Sequence, residues 1–257
     1  MSATKDVTMR IWRGTSEGGS FVEYKVPVGE GMVVLDVMFA IQASQAQDLA
    51  VRWNCKAGKC GSCSAEINGK TRLMCMTRME TLPQDEPITV TPMKTFPLIK
   101  DLVTDVSFNY EVAKTLPGFK PKPKDPDGKR RMFQEDIDRV QEFHKCIECF
   151  LCQNVCHVIR DHEENKKSFA GPRFFVKLAA LEMHPLDTND RAELIRKKAG
   201  LGFCNITKCC TEVCPEDIHI TDNAIIPLKE RVVTQHYDPV LRLVRVITRR
   251  KPAKPEA

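Results

Sequence analysis

Cys55-Lys56-Ala57-Gly58-Lys59-Cys60-Gly61-Ser62-Cys63, closed further on by Cys75 after Leu73-Met74, sets four thiols in a C-x4-C-x2-C pattern with a distant fourth member. That is the spacing of a plant-type [2Fe–2S] site. Iron in such clusters takes thiolate ligands, and closely spaced thiolates can wrap one inorganic core. Gly58 and Gly61 permit backbone turns that aim N–H groups at sulfur. Such dipoles stabilise added negative charge and raise a reduction potential. Zinc also accepts four cysteines, but usually as paired, short-spaced knuckles.

The flanks of this loop point to a small sheet packed on one helix. Residues 8–13 and 21–28 alternate like two strands of a hairpin. Residues 33–45 then read as a helix with Val34, Val37, Met38 and Ile41 on one face. Asn68-Gly69 is a hairpin-turn signal, and Ile88–Thr91 reads as a closing strand. Strands on one helix suit a β-grasp ferredoxin domain over residues 1–105.

Eight further cysteines form two more groups. Cys146, Cys149, Cys152 and Cys156 keep the C-x2-C-x2-C-x3-C frame of bacterial ferredoxins. Cys204, Cys210 and Cys214-Pro215 keep the same frame, but Thr207 stands at the second ligand position. In two-cluster ferredoxins the fourth cysteine of each run ligates the other cluster. On that rule Cys146, Cys149, Cys152 and Cys214 hold a [4Fe–4S] cluster. Cys156, Cys204 and Cys210 hold the other, and with no thiolate at Thr207 it is a [3Fe–4S] cluster. Cys209 lies off the frame and reads as a small buried hydrophobe, or as a ligand in exchange with Cys210.

Pro117–Arg130, rich in proline and charge, is a connector. Beyond it the periodicity is helical. Gln134–Lys145 puts Ile137, Val140 and His144 on one face. Gly171–His184 starts at Pro172 and carries Phe175, Leu178 and Leu181. Thr188–Ala199 has capping residues before it and Gly200 after it. The expected fold class is therefore α+β: the β-grasp plant-type ferredoxin domain, then an α-helical, bacterial-ferredoxin-like domain over 106–240. A basic tail follows over 241–257. Its Leu241–Lys251 stretch alternates apolar and basic residues, which suits an anionic membrane face, an anchor subunit or plain solvent.

The 257 residues allow two modest domains, with 28% charged and 42% hydrophobic residues. Met1–Trp12 carries charges and no apolar core, so no signal peptide is expected. The most apolar stretch, Gly31–Ile41, is broken by Asp36, and no run approaches the roughly 18 apolar residues of a membrane span. Clustered cysteines in a reducing compartment are ligands rather than disulfides. The formal charge of +5 counts every cysteine as neutral. Three thiolate-bound clusters at roughly −2 each would bring the loaded protein near neutrality, which argues against nucleic-acid binding. There is no G-x-G-x-x-G fingerprint and no P-loop, so no nucleotide is expected on this chain.

The order and combination of Cys55-x4-Cys60-Gly-Ser-Cys63, Asn68-Gly-Lys, Cys75, Cys146-Ile-Glu-Cys149 and Cys204-x5-Cys210-x3-Cys214-Pro resemble the iron–sulfur subunits of succinate dehydrogenases and fumarate reductases, over nearly the whole chain. Lys100-Asp101-Leu102-Val103 also looks like the start of that family's second domain. The resemblance implies an electron-transfer subunit of a succinate:quinone oxidoreductase in the tricarboxylic acid cycle. Electrons would pass from the FAD of a flavoprotein subunit through [2Fe–2S], [4Fe–4S] and [3Fe–4S] clusters to a quinone at a membrane anchor, with or without haem b. It implies a peripheral place on the cytoplasmic side of the cell membrane, and no succinate chemistry by this chain alone. Fumarate reduction in the opposite direction, and service to another flavoprotein:quinone complex, are the alternative readings.

The quinone vicinity implied by the resemblance is His157, Asn205, Ile206 and Thr207. Here the chain departs from many members. His157 follows Cys156 where they have proline, Asn205 stands where they have histidine, and the only tryptophans are Trp12 and Trp53. These departures resemble fumarate-reductase-type or menaquinone-using members. His157 suits a hydrogen bond to quinone or sulfide, or a satisfied position behind a ligand. His144, His162, His184, His219 and His236 read as surface or satisfied histidines.

Overall fold

The computed structural model describes residues 5–240 together with Leu243 and Ile247. The rest of the basic 241–257 tail lies outside the described residues, and those two positions are exposed. The chain divides into two compact units, Met1–Ser107 with Ile147–Val155, and Phe108–Cys146 with Cys156–Ala257.

In the first unit, β1 (Lys5–Thr15) runs antiparallel to β2 (Gly18–Val28), with Met9 opposite Tyr24 and Ile11 opposite Val22. Alternation decides what they bury: Val7, Met9 and Ile11 from one strand, Tyr24, Val26 and Val28 from the other. Helix α1 (Val34–Ser44) buries the expected stripe of Val34, Val37, Met38 and Ile41, and Leu35 as well. Its start is tied by the Asp36 carboxylate, which accepts the Val33 N–H at 3.0 Å. Strands β3 (Ser64–Ile67) and β4 (Lys70–Leu73) meet at Asn68 and Gly69, with φ of 47° and 73°. Two successive left-handed residues make the turn whose twist matches a hairpin. Strand β5 (Ile88–Thr91) lies parallel to β1 and antiparallel to β3.

Two short strands, β6 (Leu98–Lys100) and β7 (Val103–Thr104), have too few residues to show any alternation in sequence. They complete a mixed sheet ordered β4-β3-β5-β1-β6-β7, with β2 paired to β1 off that path. The Lys100–Val103 motif therefore belongs to the first unit rather than opening the second. Asp101, 1% exposed, accepts the Gly14 and Ala50 N–H groups at 2.9 Å each and pairs with Arg13 at 3.1 Å. A buried carboxylate so partnered locks this turn to β1.

Helix α2 (Ser107–Lys114) leads into the second unit, which is helical. Residues 117–130 hold no helix or strand, only an isolated bridge between Pro121 and Asp187. Helix α3 (Gln134–Gln141) stops short of the expected end, and Glu142–Lys145 winds on as a 3-10 turn. Three residues per turn rotate the face. Phe143 is buried there and His144 is exposed, which corrects the expected Ile137–Val140–His144 stripe.

Helix α4 (Pro172–Glu182) starts at the expected proline after Gly171, whose φ is +85°. It buries Phe174, Phe175, Val176, Leu178 and Ala179, a broader face than the sequence stripe. The expected Thr188–Ala199 helix shrinks to 192–198, most of it a π turn. Thr188 is engaged elsewhere, with its N–H and hydroxyl on the Lys120 carbonyl, so Asp190 caps instead by accepting the Ala192 N–H. Gly200 ends the turn at φ +67°, where a Cβ would meet the Ser168 carbonyl oxygen at 1.8 Å. Helix α5 (Ile226–His236) closes the unit. No helix among the described residues is long and apolar enough to cross a membrane. The whole is α+β.

Candidate functional site

The first thiol loop is built on left-handed turns. Lys56, Gly58 and Gly61 have φ of 57°, 68° and 67°. These turns aim N–H groups at sulfur. The Cys55 sulfur accepts the Ala57 and Lys59 N–H groups at 3.4 and 3.3 Å. The Cys60 sulfur accepts the Cys55 N–H at 3.5 Å, and the Cys63 sulfur that of Cys75 at 3.4 Å. Burial pushes the Cys63 thiol up to about 12. Burial also works against a Cys60 thiolate, but hydrogen bonds from Ser62 and from the Cys55 N–H outweigh it and bring that thiol down to about 7. An all-sulfur donor set with converging N–H dipoles fits an iron–sulfur core.

The segment holding Cys149 and Cys152 packs within the same unit as this loop, although the cysteine frame alone assigns it to the helical domain. Gly61 lies so close to it that a Cβ there would stand 2.4 Å from the Cys149 Cα. The Ser64 hydroxyl is 2.9 Å from the carbonyl oxygens of both Gly61 and Cys149. Asn154 anchors the end of the segment. Its amide donates to Glu66 and to Thr71, each at 2.9 Å, and its side-chain and backbone oxygens accept from Thr95 at 3.1 Å. Asn154 and Glu66 are at most 1% exposed. Nothing in the cysteine spacing announces this network. Its polar partners are scattered over the sheet strands and become one cluster only on folding.

The two bacterial-type runs repeat one backbone. Glu148 and Phe150 are left-handed at φ of 55° and 60°, and the same frame positions of the later run, Ile206 and Lys208, have 63° and 62°. Each run then enters one helical turn, Leu151–Asn154 and Cys209–Glu212, capped by Phe150 and Lys208. Each is preceded by a 3-10 turn whose carbonyl takes the first cysteine N–H at 3.3 Å, Phe143 for Cys146 and Leu201 for Cys204. In this register Thr207 matches Cys149, and Cys209 matches Leu151.

In the second unit one narrow cavity gathers Cys156, Cys204 and Cys210 with Cys209, Thr207, Asn205 and His157. Burial, with the neighbouring thiols adding to it, raises the Cys156 thiol to about 12 and the Cys210 thiol to about 11. Such a site holds thiolates only when a cation compensates them. Cys209 is not the buried hydrophobe expected. It is half-buried, lines the cavity, and its sulfur lies 3.4 Å from the Thr207 hydroxyl. Thr221 backs the cavity, 3.5 Å from the Cys210 sulfur, and the Lys229 ammonium donates to the Cys204 carbonyl.

Of the residues expected near quinone, His157 is half-buried on the cavity wall, while Asn205, Ile206 and Thr207 are exposed beside it. Phe203 and Ile206 add exposed apolar surface there. The remaining histidines are exposed or partnered. His219 meets Glu142 at 2.7 Å, His184 accepts the Leu186 N–H at 3.1 Å, and His162 and His236 lie near Glu164 and Glu193.

Two family descriptions match the chain, a 2Fe-2S iron-sulfur cluster binding domain over residues 8–111 and a 4Fe-4S dicluster domain over residues 142–218. The fumarate reductase iron-sulfur subunit of Mycobacterium tuberculosis is 31% identical over 211 residues, 77% of this chain and 81% of that one. A chain of the fumarate reductase (CoM/CoB) of Methanothermobacter marburgensis is 29% identical over 232 residues, 90% of this chain and 45% of that one. The chain thus spans less than half the length of the first curated relatives it matches. Among solved structures, a chain of the Mycobacterium smegmatis Sdh1 complex in the apo form is 65% identical with a TM-score of 0.90, covering 93% of this chain and all of that one.

Proposed function

We propose that this chain, which belongs to the family of iron–sulfur subunits of succinate dehydrogenases and fumarate reductases, relays electrons singly from the FAD of a flavoprotein subunit to a quinone at a membrane anchor. Bound clusters supply the one-electron chemistry; the chain supplies ligands, dipoles and a dry setting. Cys55, Cys60, Cys63 and Cys75 hold the [2Fe–2S] cluster in a β-grasp, plant-type ferredoxin fold. Cys146, Cys149, Cys152 and Cys214 hold a [4Fe–4S] cluster, and Cys156, Cys204 and Cys210 a [3Fe–4S] cluster, in a bacterial-ferredoxin-like arrangement.

The observation that supports this reading most is the matched backbone of the two runs. It matches Thr207 to Cys149, which supports reading Thr207 as the second frame position of the later run, beside three thiols that line one cavity. The exposed patch of Phe203, Asn205, Ile206 and Thr207 next to His157 supports a quinone, read as menaquinone, near this cavity. The partners are then an FAD flavoprotein and an anchor, on the cytoplasmic face of the membrane. The Sdh1 likeness favours succinate oxidation as the direction over fumarate reduction.

Metal and acid-labile sulfide analysis of anaerobically purified protein tests the cluster reading, with about nine irons and ten sulfides expected per chain. Stoichiometric zinc in place of iron would end it. Succinate oxidation is expected only with the flavoprotein present, and quinone reduction only when the anchor is added. Succinate oxidation by the chain alone contradicts the division of labour.

A further inference from the structure

Leu151 and Cys209 occupy the same place in two matching backbones but live differently. Leu151 is 1% exposed, an apolar plug. Cys209 is half-buried and lines the cavity that Cys156, Cys204 and Cys210 also line. Its sulfur lies 3.4 Å from the hydroxyl of Thr207, the residue standing where the other run has its second ligand. A thiol therefore stands beside the ligand position that Thr207 leaves without one.

We propose that Cys209 is a latent fourth ligand of the terminal site, which lets that site take up a fourth iron. This rests on the proposed [3Fe–4S] reading. The step balances with two named co-reactants, a one-electron reductant and a ferrous ion. The reductant brings the oxidised three-iron core to its neutral level. One Fe(II) then joins it, one Fe–S bond forms to Cys209, and the thiol proton leaves to water. The product is a [4Fe–4S] core in its ordinary 2+ level, with no further electron moved. Loss of that iron and reprotonation of Cys209 reverse the step after one-electron oxidation. The terminal site would then exist in two iron loadings, set by ferrous iron and redox poise rather than by a change of fold.

The test uses the anaerobically purified, cluster-loaded complex. Its three-iron paramagnetic signal is recorded as isolated, and this first measurement decides the underlying reading separately. A complex with intact [2Fe–2S] signal and no paramagnetic three-iron species in wild type, Cys209→Ser or Cys209→Ala would sink both ideas. Where the signal is present, the sample is treated with dithionite and ferrous salt, desalted and mildly reoxidised. Wild type should lose the three-iron signal and gain about one iron with no added sulfide. Cys209→Ser and Cys209→Ala should keep the signal after the same treatment, with the [2Fe–2S] signal serving as the folding control. On the wild-type protein, alkylation mapped by mass spectrometry should label Cys209 before iron loading and fail to label it after. Equal iron uptake by the variants, no uptake by wild type, or unchanged labelling of Cys209 after uptake would each overturn the proposal.

Discussion

At the second position of one cysteine frame stands Cys149, 9% exposed; at the same position of the other stands Thr207, on the surface. One position before the third cysteine of the frame the pair is buried Leu151 against half-buried Cys209, and two positions after it buried Asn154 against exposed Glu212. The backbones agree residue by residue through their left-handed turns. The turns of the motif are thus a local property that tolerates Glu, Phe, Ile and Lys at left-handed positions. What each side chain meets is decided by the unit it packs into. The first run from Ile147 to Val155 is folded against the sheet, where Asn154 is held at four points. The second opens beside a cavity and solvent.

The largest test of this contrast exchanges the unlike ligand position. Thr207→Cys should supply a thiolate and give a four-iron terminal cluster as isolated, without added iron. The three-iron signal should vanish and quinone reduction should fall. Transfer to artificial acceptors should largely survive. The reciprocal Cys149→Thr should strip the [4Fe–4S] cluster of a ligand and remove its reduced-state signal. Persistence of the three-iron signal in Thr207→Cys breaks the proposed register.

Gly61→Ala asks whether the first run is truly seated on the thiol loop. An added methyl must push into the Cys149 backbone at 2.4 Å from a left-handed φ of 67°. Overpacking and strain together should cost about 3 kcal/mol. Spectra should show loss at [2Fe–2S] and [4Fe–4S] while the three-iron signal is kept. Gly69, also left-handed but with nothing within 4 Å of an added Cβ, is the control. Gly69→Ala should cost only about 1 kcal/mol.

Next in size is Asn154→Ala against Glu212→Ala. Removing the Asn154 amide leaves the buried Glu66 and Thr71 oxygens short of a donor, at about 2–3 kcal/mol. Glu212→Ala changes a surface carboxylate and should stay within about 0.5 kcal/mol. Thermal or denaturant unfolding of the loaded protein reads both, and equal losses would refute the contrast.

The smallest effect concerns pH. Burial opposes the Glu142 carboxylate, but hydrogen bonds from Asn223 and from the His219 N–H prevail and hold its pKa below the ordinary value. A depressed carboxylate contributes stability above its unfolded pKa of about 4.3 and loses it as pH falls through the folded value. Stability of wild type should therefore fall more steeply below about pH 4.3 than that of Glu142→Gln. Parallel acid titrations of the two proteins would refute the role assigned to this clasp, which ties the turn before Cys146 to the chain after Cys214.

Much of this protein is determined by sequence alone. Thiol count and spacing specify the cysteine groups, because ligand reach along a chain is short and local. The Asn68-Gly69 turn, the α1 stripe and the Pro172 helix start are likewise local, so each is legible without the fold. The strands at Leu98–Lys100 and Val103–Thr104 are not, being too short for a period and set by what β1 and Asp101 offer them. The shortened 192–198 helix escapes the sequence pattern because Thr188 caps nothing and serves the connector instead. Tertiary structure alone decided that Cys149 and Cys152 pack with the sheet, that Asn154 is their anchor, and that Cys209 stands at a cavity rather than in a core. Each is a matter of which distant surfaces meet. One repeated backbone motif can bury a leucine in one setting and turn a cysteine toward a cavity in another, because burial belongs to the surroundings and not to the motif.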